Sequence, residues 1–379
     1  MSEFKNLPSG WRVVRLGDVF EKITIKNRPD EPILTIKQGV GTILRENSDR
    51  QILFDKKRIS TYKFVKKNDF IIHLRSFESG FEMSNHQGIV SPAYIILRNK
   101  ILISHLYFKN FFRSYLFIHK ILAICVEGIR DGKQLNFDTV KNLKIPFPPV
   151  DEQEKIAEIL STWDEAINLT INLIENKKQF KKALMQNLLT AKIRFPQFKD
   201  DWEIVKLEEI SEVYQPQTIS QSELTDSGFD VYGANGIIGK YSRYNHEFEQ
   251  VVVACRGNTC GAVNFTKPKS WITGNAMVIN LDNSTKSIKT FIYYLLSNTN
   301  FQYLISGSGQ PQITSNIRYH KIKLPNLKEQ QKIAEVLTTC DDEINLLNLK
   351  LENLKKQKQG LMQKLLKGEM RTCYVKKAM

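Results

Sequence analysis

Cysteine is scarce. The five in 379 residues, at positions 125, 255, 260, 340 and 373, are odd in number and scattered, which excludes a disulfide framework. Cys255 and Cys260 flank Arg-Gly-Asn-Thr with no second pair, and the six histidines fall into no ligand spacing, so no metal site is expected. Long apolar runs are missing too. The most apolar stretch, Leu116 to Val126, is broken by His119 and Lys120 and falls short of the roughly 20 residues that span a bilayer. Met-Ser-Glu-Phe-Lys at the start carries no apolar signal core, so the expectation is a cytoplasmic chain with no membrane partner. Phosphate-binding loops are lacking: Gly233 to Gly239 has neither the G-x-G-x-x-G spacing nor a following Lys-Ser/Thr. The Asn/Asp-Pro-Pro-Tyr/Phe acceptor motif of an adenine methyltransferase is absent as well, because Phe147-Pro148-Pro149-Val150 lacks the polar head and the aromatic tail.

Acid is in deficit, and the formal net charge is +15. A field of that size acts on association and points to a polyanion, with a merely lysine-rich composition as the plainer alternative. Residues 1–150 hold about 25 bases against 14 acids, while residues 195–323 balance at about 12 each, so most of the field belongs to the N-terminal third.

What the chain does contain is a repeat. Asp151 to Arg194 and Lys328 to Arg371 superimpose without a gap, Glu152 on Glu329, Lys155 on Lys332, Asp164 on Asp341, Leu184 on Leu361. Both copies lack proline and place apolar residues at alternating spacings of four and three. The seam runs Ile156, Leu160, Trp163, Ile167, Ile174, Leu184 and Leu188 in the first copy. In the second it runs Ile333, Leu337, Cys340, Ile344, Leu347, Leu351, Leu354, Leu361 and Leu365. Each copy is expected to be one helix, roughly 60 Å long at 1.5 Å per residue. Acids crowd the first half of each and bases the second, so antiparallel pairing sets acidic against basic halves. Lys181 and Lys358 fall on the seam. A buried polar residue there fixes register, but the expected reading is that a straight helix has drifted off the seam at that depth.

Before each helix lies a globule. Trp11-Arg12-Val13-Val14 at the entrance of the first is echoed by Trp202-Glu203-Ile204-Val205 in the second. In the first, strands are expected at Phe70 to Leu74 and Tyr94 to Leu97. A helix follows at Ser104 to Ile124, with Leu106, Phe108, Phe112, Tyr115 and Leu116 as core. In the second, strands are expected at Gln250 to Ala254 and Ala276 to Leu281, and a helix at Ile288 to Ile305. A glycine turn precedes each exit, Glu127 to Gln134 and Ser306 to Thr314. The expected fold class is α+β: globule 1–150, helix 151–194, globule 195–327, helix 328–371 and a tail 372–379, a pseudo-twofold internal repeat with two long antiparallel coiled-coil helices separating the globules.

Pro149 with Glu152-Gln153-Glu154-Lys155-Ile156-Ala157, Pro325 with Glu329-Gln330-Gln331-Lys332-Ile333-Ala334, Leu184-Met185-Gln186 against Leu361-Met362-Gln363, and Arg194-Phe195-Pro196 form a specific set. In this set and in its order of elements the chain resembles the specificity subunits of type I restriction-modification systems over essentially its whole length. The resemblance implies that each globule is a target recognition domain reading one half of a bipartite DNA sequence. It implies that the paired helices set the spacer and dock two modification subunits, with two restriction subunits completing the complex. S-adenosylmethionine, ATP and magnesium ions then act in those partners, and none is expected in this chain.

Reading double-stranded DNA calls for Arg or Lys toward guanine and Asn or Gln toward adenine. The candidates in the first globule are Arg75 and Ser76 after a strand, and Arg130, Lys133, Gln134 and Asn136 in the glycine turn. In the second they are Lys240, Tyr241 and Arg243, then Arg256, Asn258 and Thr259, then Gln310 and Gln312. The glycine turns recur at one place in both repeats, which also suits a turn set by the fold. A self-contained enzyme and a coiled-coil adaptor that binds only proteins are the rival readings.

Overall fold

The structure, a computed structural model, describes residues 7–48, 56–128, 134–307 and 310–372. It divides into two compact units, Met1–Thr170 with Lys350–Met379, and Ile171–Leu349. Each unit contains one globule, part of the first long helix and part of the second.

The long helices span Val150–Leu188 and Leu327–Lys367. Both stop short of the expected Arg194 and Arg371 because the chain turns through left-handed backbone at Ala191 (φ 58°) and Gly368 (φ 74°). Ile193 N donates to Asn187 O at 3.2 Å and Met370 N to Lys364 O at 3.3 Å, so the two ends close identically. Within each unit the helices run antiparallel. In the first, Asp164 meets Lys358 at 2.5 Å; in the second, Lys181 meets Asp341 and Lys177 meets Glu343, both at 2.6 Å. Every seam residue named above is buried or half-buried. The expected drift at Lys181 and Lys358 is not what happens. Their side chains are only 17% and 18% exposed, and each holds the aspartate of the facing helix, which locks register.

The repeated Glu-Gln pair at each helix start has a tertiary explanation. Glu152, fully buried, accepts from Trp11 Nε1 (2.9 Å) and from both arms of the Arg371 guanidinium (2.8 and 3.1 Å). In the second unit Glu329 accepts from Trp202 Nε1 (3.2 Å) and from Arg194 (2.9 and 2.8 Å). Gln153 donates to Pro148 O and accepts from Ser104 N; Gln330 donates to Pro325 O and accepts from Ile288 N. A buried carboxylate is tolerated only when paired and hydrogen-bonded, and both are. The two nodes tie globule entrance, helix start and the end of the facing helix together.

Each globule has the same sheet plan. In the first, the antiparallel order is Phe20–Ile23, Ile95–Asn99, Phe70–Ile72, Glu82–Met83. In the second it is Glu212–Tyr214, Ala276–Asn280, Val251–Ala254, Val263–Phe265. Entrance and exit strands pair as Arg12–Arg15 with Lys144–Phe147, and Glu203–Lys206 with Lys321–Leu324. The aromatic helix is shorter than expected, His105–Phe112, followed by a π turn at Leu116–Ile121. Its phase also differs from the expectation. Tyr107, Phe108, Phe111 and Phe112 face the core, while Leu106 and Tyr115 are 45% and 53% exposed. Phe20, Phe70, Phe108 and Phe112 pack edge-on or tilted at 5.0–5.6 Å, a geometry that the ring quadrupole favours. In the second unit Lys289–Ser297 takes the equivalent place, burying Phe291, Ile292 and Leu296 against Val251, Val253 and Ile279. Among the described residues no helix is long and apolar enough to cross a membrane, and the described cysteines are free.

Candidate nucleic-acid interface

In the first domain the central strand Phe70–Ile72 ends in a tight loop. His73 N donates to Ser76 Oγ at 2.8 Å, and Ser76 N returns to His73 O at 3.0 Å. Ser76 is fully buried, so its part in the loop is to hold the turn, and it has no surface to offer a ligand. His73 Nδ1 accepts from Arg75 N, which leaves the proton on Nε2, facing Ser79 Oγ at 3.2 Å. Burial pushes the His73 pKa down, so the ring is neutral near pH 7. What the loop presents outward is Leu74, 66% exposed, and Arg75, whose side chain is 73% exposed and rests on Glu78 at 3.0 Å.

Beside this loop, the short helix Ser76–Ser79 contacts the strand Gln134–Leu135 of a hairpin whose other strand is Val126–Glu127. Gln134 is exposed. Asn136 Oδ1 accepts from Asp138 N at 3.0 Å and caps the turn Phe137–Val140. Arg130 and Lys133 lie outside the described residues.

The second domain builds the same pair of segments. The turn after Val251–Ala254 carries Arg256, Gly257, Asn258 and Thr259, and Cys260 N closes it onto Gly257 O at 3.0 Å. Gly257 N donates to Pro311 O (3.1 Å), Ile313 N donates to Cys255 O (3.0 Å), and Arg256 bridges Gln312. Ser306 and Gln312 exchange backbone bonds of 2.9 Å in each direction. Arg256, Asn258, Gln310 and Gln312 are thereby gathered on one exposed ledge with Thr259 half-buried beneath.

Three other candidates stand elsewhere. Lys240 and Tyr241 lie on Gly236–Tyr241, the outer strand of a three-stranded sheet. Lys240 is bound to Asp230, which Lys267 also reaches at 2.9 Å, and these two bonds hold Asp230 below the usual carboxylate range. Tyr241 packs edge-on to Trp271 at 5.0 Å. Arg243 is exposed. The sequence reading missed the hairpin Leu34–Lys37 and Gly41–Leu44, whose tip borders the His73–Arg75 loop. The signal for it was the Gln-Gly-Val-Gly stretch at positions 38–41.

Set beside known proteins, residues 8–177 and 199–356 each match the type I restriction modification DNA specificity domain. The type I restriction enzyme MjaVIII specificity subunit of Methanocaldococcus jannaschii is 27% identical, covering 96% of this chain and 94% of its own length. The putative type I restriction enzyme MjaX specificity subunit of the same organism is 26% identical, at 98% and 96% coverage. In fold, the chain is similar to the HsdS subunit from Thermoanaerobacter tengcongensis, with a TM-score of 0.55 and 19% identity over 98% of this chain and all of that one. The S subunit from M. genitalium gives a TM-score of 0.60 at 16% identity, over 95% of this chain and 96% of that one.

Proposed function

We infer function from one premise: the chain belongs to the type I restriction modification DNA specificity family. It is a sequence-specific DNA-binding specificity subunit of a type I restriction-modification complex. In the finer reading proposed here, each recognition domain reads one half of a bipartite target in double-stranded DNA. The paired helices set the unread gap and dock two modification subunits, and two restriction subunits join them. Methyl transfer from S-adenosylmethionine and ATP- and magnesium-dependent cleavage belong to those partners.

One observation carries this reading. The framework is repeated residue for residue, Trp11, Glu152 and Arg371 against Trp202, Glu329 and Arg194, while the loops it supports are unlike. Arg75 and Gln134 project in one domain; Arg256, Asn258, Gln310 and Gln312 project in the other. An asymmetric two-part site calls for one scaffold carrying two different surfaces.

The test is a mobility shift across salt concentrations, with and without the modification subunits. DNA affinity of the assembled complex should fall by about 0.9 log units per log unit of salt for each phosphate neutralised. Absence of salt-dependent binding by the complex would leave the protein-only adaptor, and methyl transfer by the purified chain alone would make it an enzyme.

A further inference from the structure

The tip of the first domain's hairpin, Lys37-Gln38-Gly39-Val40, is held from beneath with unusual firmness. Gly39 N donates to Glu82 Oε1 at 2.8 Å, and Glu82, 1% exposed, is ion-paired through its other oxygen with Arg113. Asn85 Nδ2 donates to Val40 O (2.9 Å) and Thr42 O (3.2 Å), while Thr42 Oγ1 accepts from Asn85 N (2.9 Å). Gly41, at φ 110°, lies so close to the neighbouring backbone that a Cβ would stand 2.3 Å from Met83 O. Above this fixed base the Gln38 side chain is exposed and has no hydrogen-bond partner among the described residues.

Between tip and loop runs a groove of about 530 Å³. Lys37, Gln38, His73, Leu74, Arg75 and Tyr94 contribute to its lining, in which the described residues include no carboxylate. His73 and Tyr94 meet edge-on at 6.4 Å. Among the described residues Arg75 ion-pairs with Glu78 alone, and an ion pair between two such exposed groups is weak enough to be exchanged for a ligand. A planar amide, a guanidinium and an exposed leucine on a rigid, cationic rim match what base edges in the major groove offer: adenine N6/N7, guanine O6/N7 and the thymine methyl.

We propose that Gln38 and Arg75 are specificity-determining residues for the first half-site, Gln38 reading an adenine and Arg75 a guanine from either side of this groove. The second domain has a corresponding hairpin. This hairpin, Phe229–Gly233 and Gly236–Tyr241, is joined in parallel to Trp271–Ile272 as Ile33 is bridged in parallel to Ile89. Its turn again presents an exposed amide, Asn235. The proposal rests on the reading that these domains recognise DNA.

The experiment maps methylated motifs in a methylation-free host expressing the whole complex, with parent, Gln38→Ala, Gln38→Glu, Arg75→Ala and Asn235→Ala subunits. Gln38→Ala should lose roughly tenfold or more of the discrimination at one adenine position of one half-site, leaving the other half-site and the spacer intact. Gln38→Glu should shift that position toward cytosine, whose amino group a carboxylate accepts. Arg75→Ala should relax a guanine of the same half-site, and Asn235→Ala a position of the other. A motif unchanged by Gln38→Ala and Gln38→Glu, or one methylated more weakly at every sequence alike, overturns the assignment while leaving the family's role intact. A parent complex that methylates without any motif removes the reading beneath it as well.

Discussion

Among the described residues the two oxygens of buried Glu152 take three donor atoms. Trp11 and Arg371 reach it from opposite ends of the sequence, Arg371 from 219 residues away. Replacing it with alanine removes the carboxylate shared by a buried indole N–H and a partly buried guanidinium. Stability should fall by about 3–5 kcal/mol in chemical denaturation, with Glu329→Ala costing a similar amount. A loss under about 0.5 kcal/mol for both would mean that neither node holds its unit together. The recurrence of Glu152 at Glu329 was plain in the sequence, but its partner was not, because no local spacing links a helix start to the end of another helix. Gln38 was hidden for a related reason. The turn that carries it is held by Glu82 and Asn85, which reach Gly39 and Val40 only once the sheet has formed.

The long helices were legible because apolar periodicity and charge halves repeat over many turns, and a pattern that long survives any local irregularity. Their ends were not. Gly368 announces a left-handed turn, but its counterpart in the repeat is Ala191, which adopts the same backbone at φ 58°. A side chain in that conformation costs roughly 1–2 kcal/mol, partly offset by the freedom glycine loses on folding. Ala191→Gly should therefore raise stability by about 0.5–1 kcal/mol. Gly368→Ala should cost more than that gain, since its Cβ would lie 2.4 Å from Pro8 Cγ. Thermal melts of the two variants check the asymmetry; equal effects of the same sign would contradict it. The aromatic helix was misread for want of length. Over eight residues, His105–Phe112, the choice between Leu106 and Tyr107 as core is settled by the sheet it lies on, not by its own pattern.

At the scale of the molecule, both long helices pass through both compact units. The repeat itself, the α+β class and the two unlike globules could be read from the chain. Which loops meet could not, since the pairing of Cys255 and Gly257 with Ile313 and Pro311 follows from long-range backbone bonds. If the helices set the distance between two reading domains, their length is a variable separate from sequence preference. Four residues inserted into each helix between the units add roughly 6 Å, close to two base-pair steps of 3.4 Å. The deciding measurement is the methylated motif of that insertion variant against its parent, in the assembled complex. The same two half-sites with a spacer longer by about two base pairs are expected; changed half-sites, or an unchanged spacer, would contradict helices that set the gap.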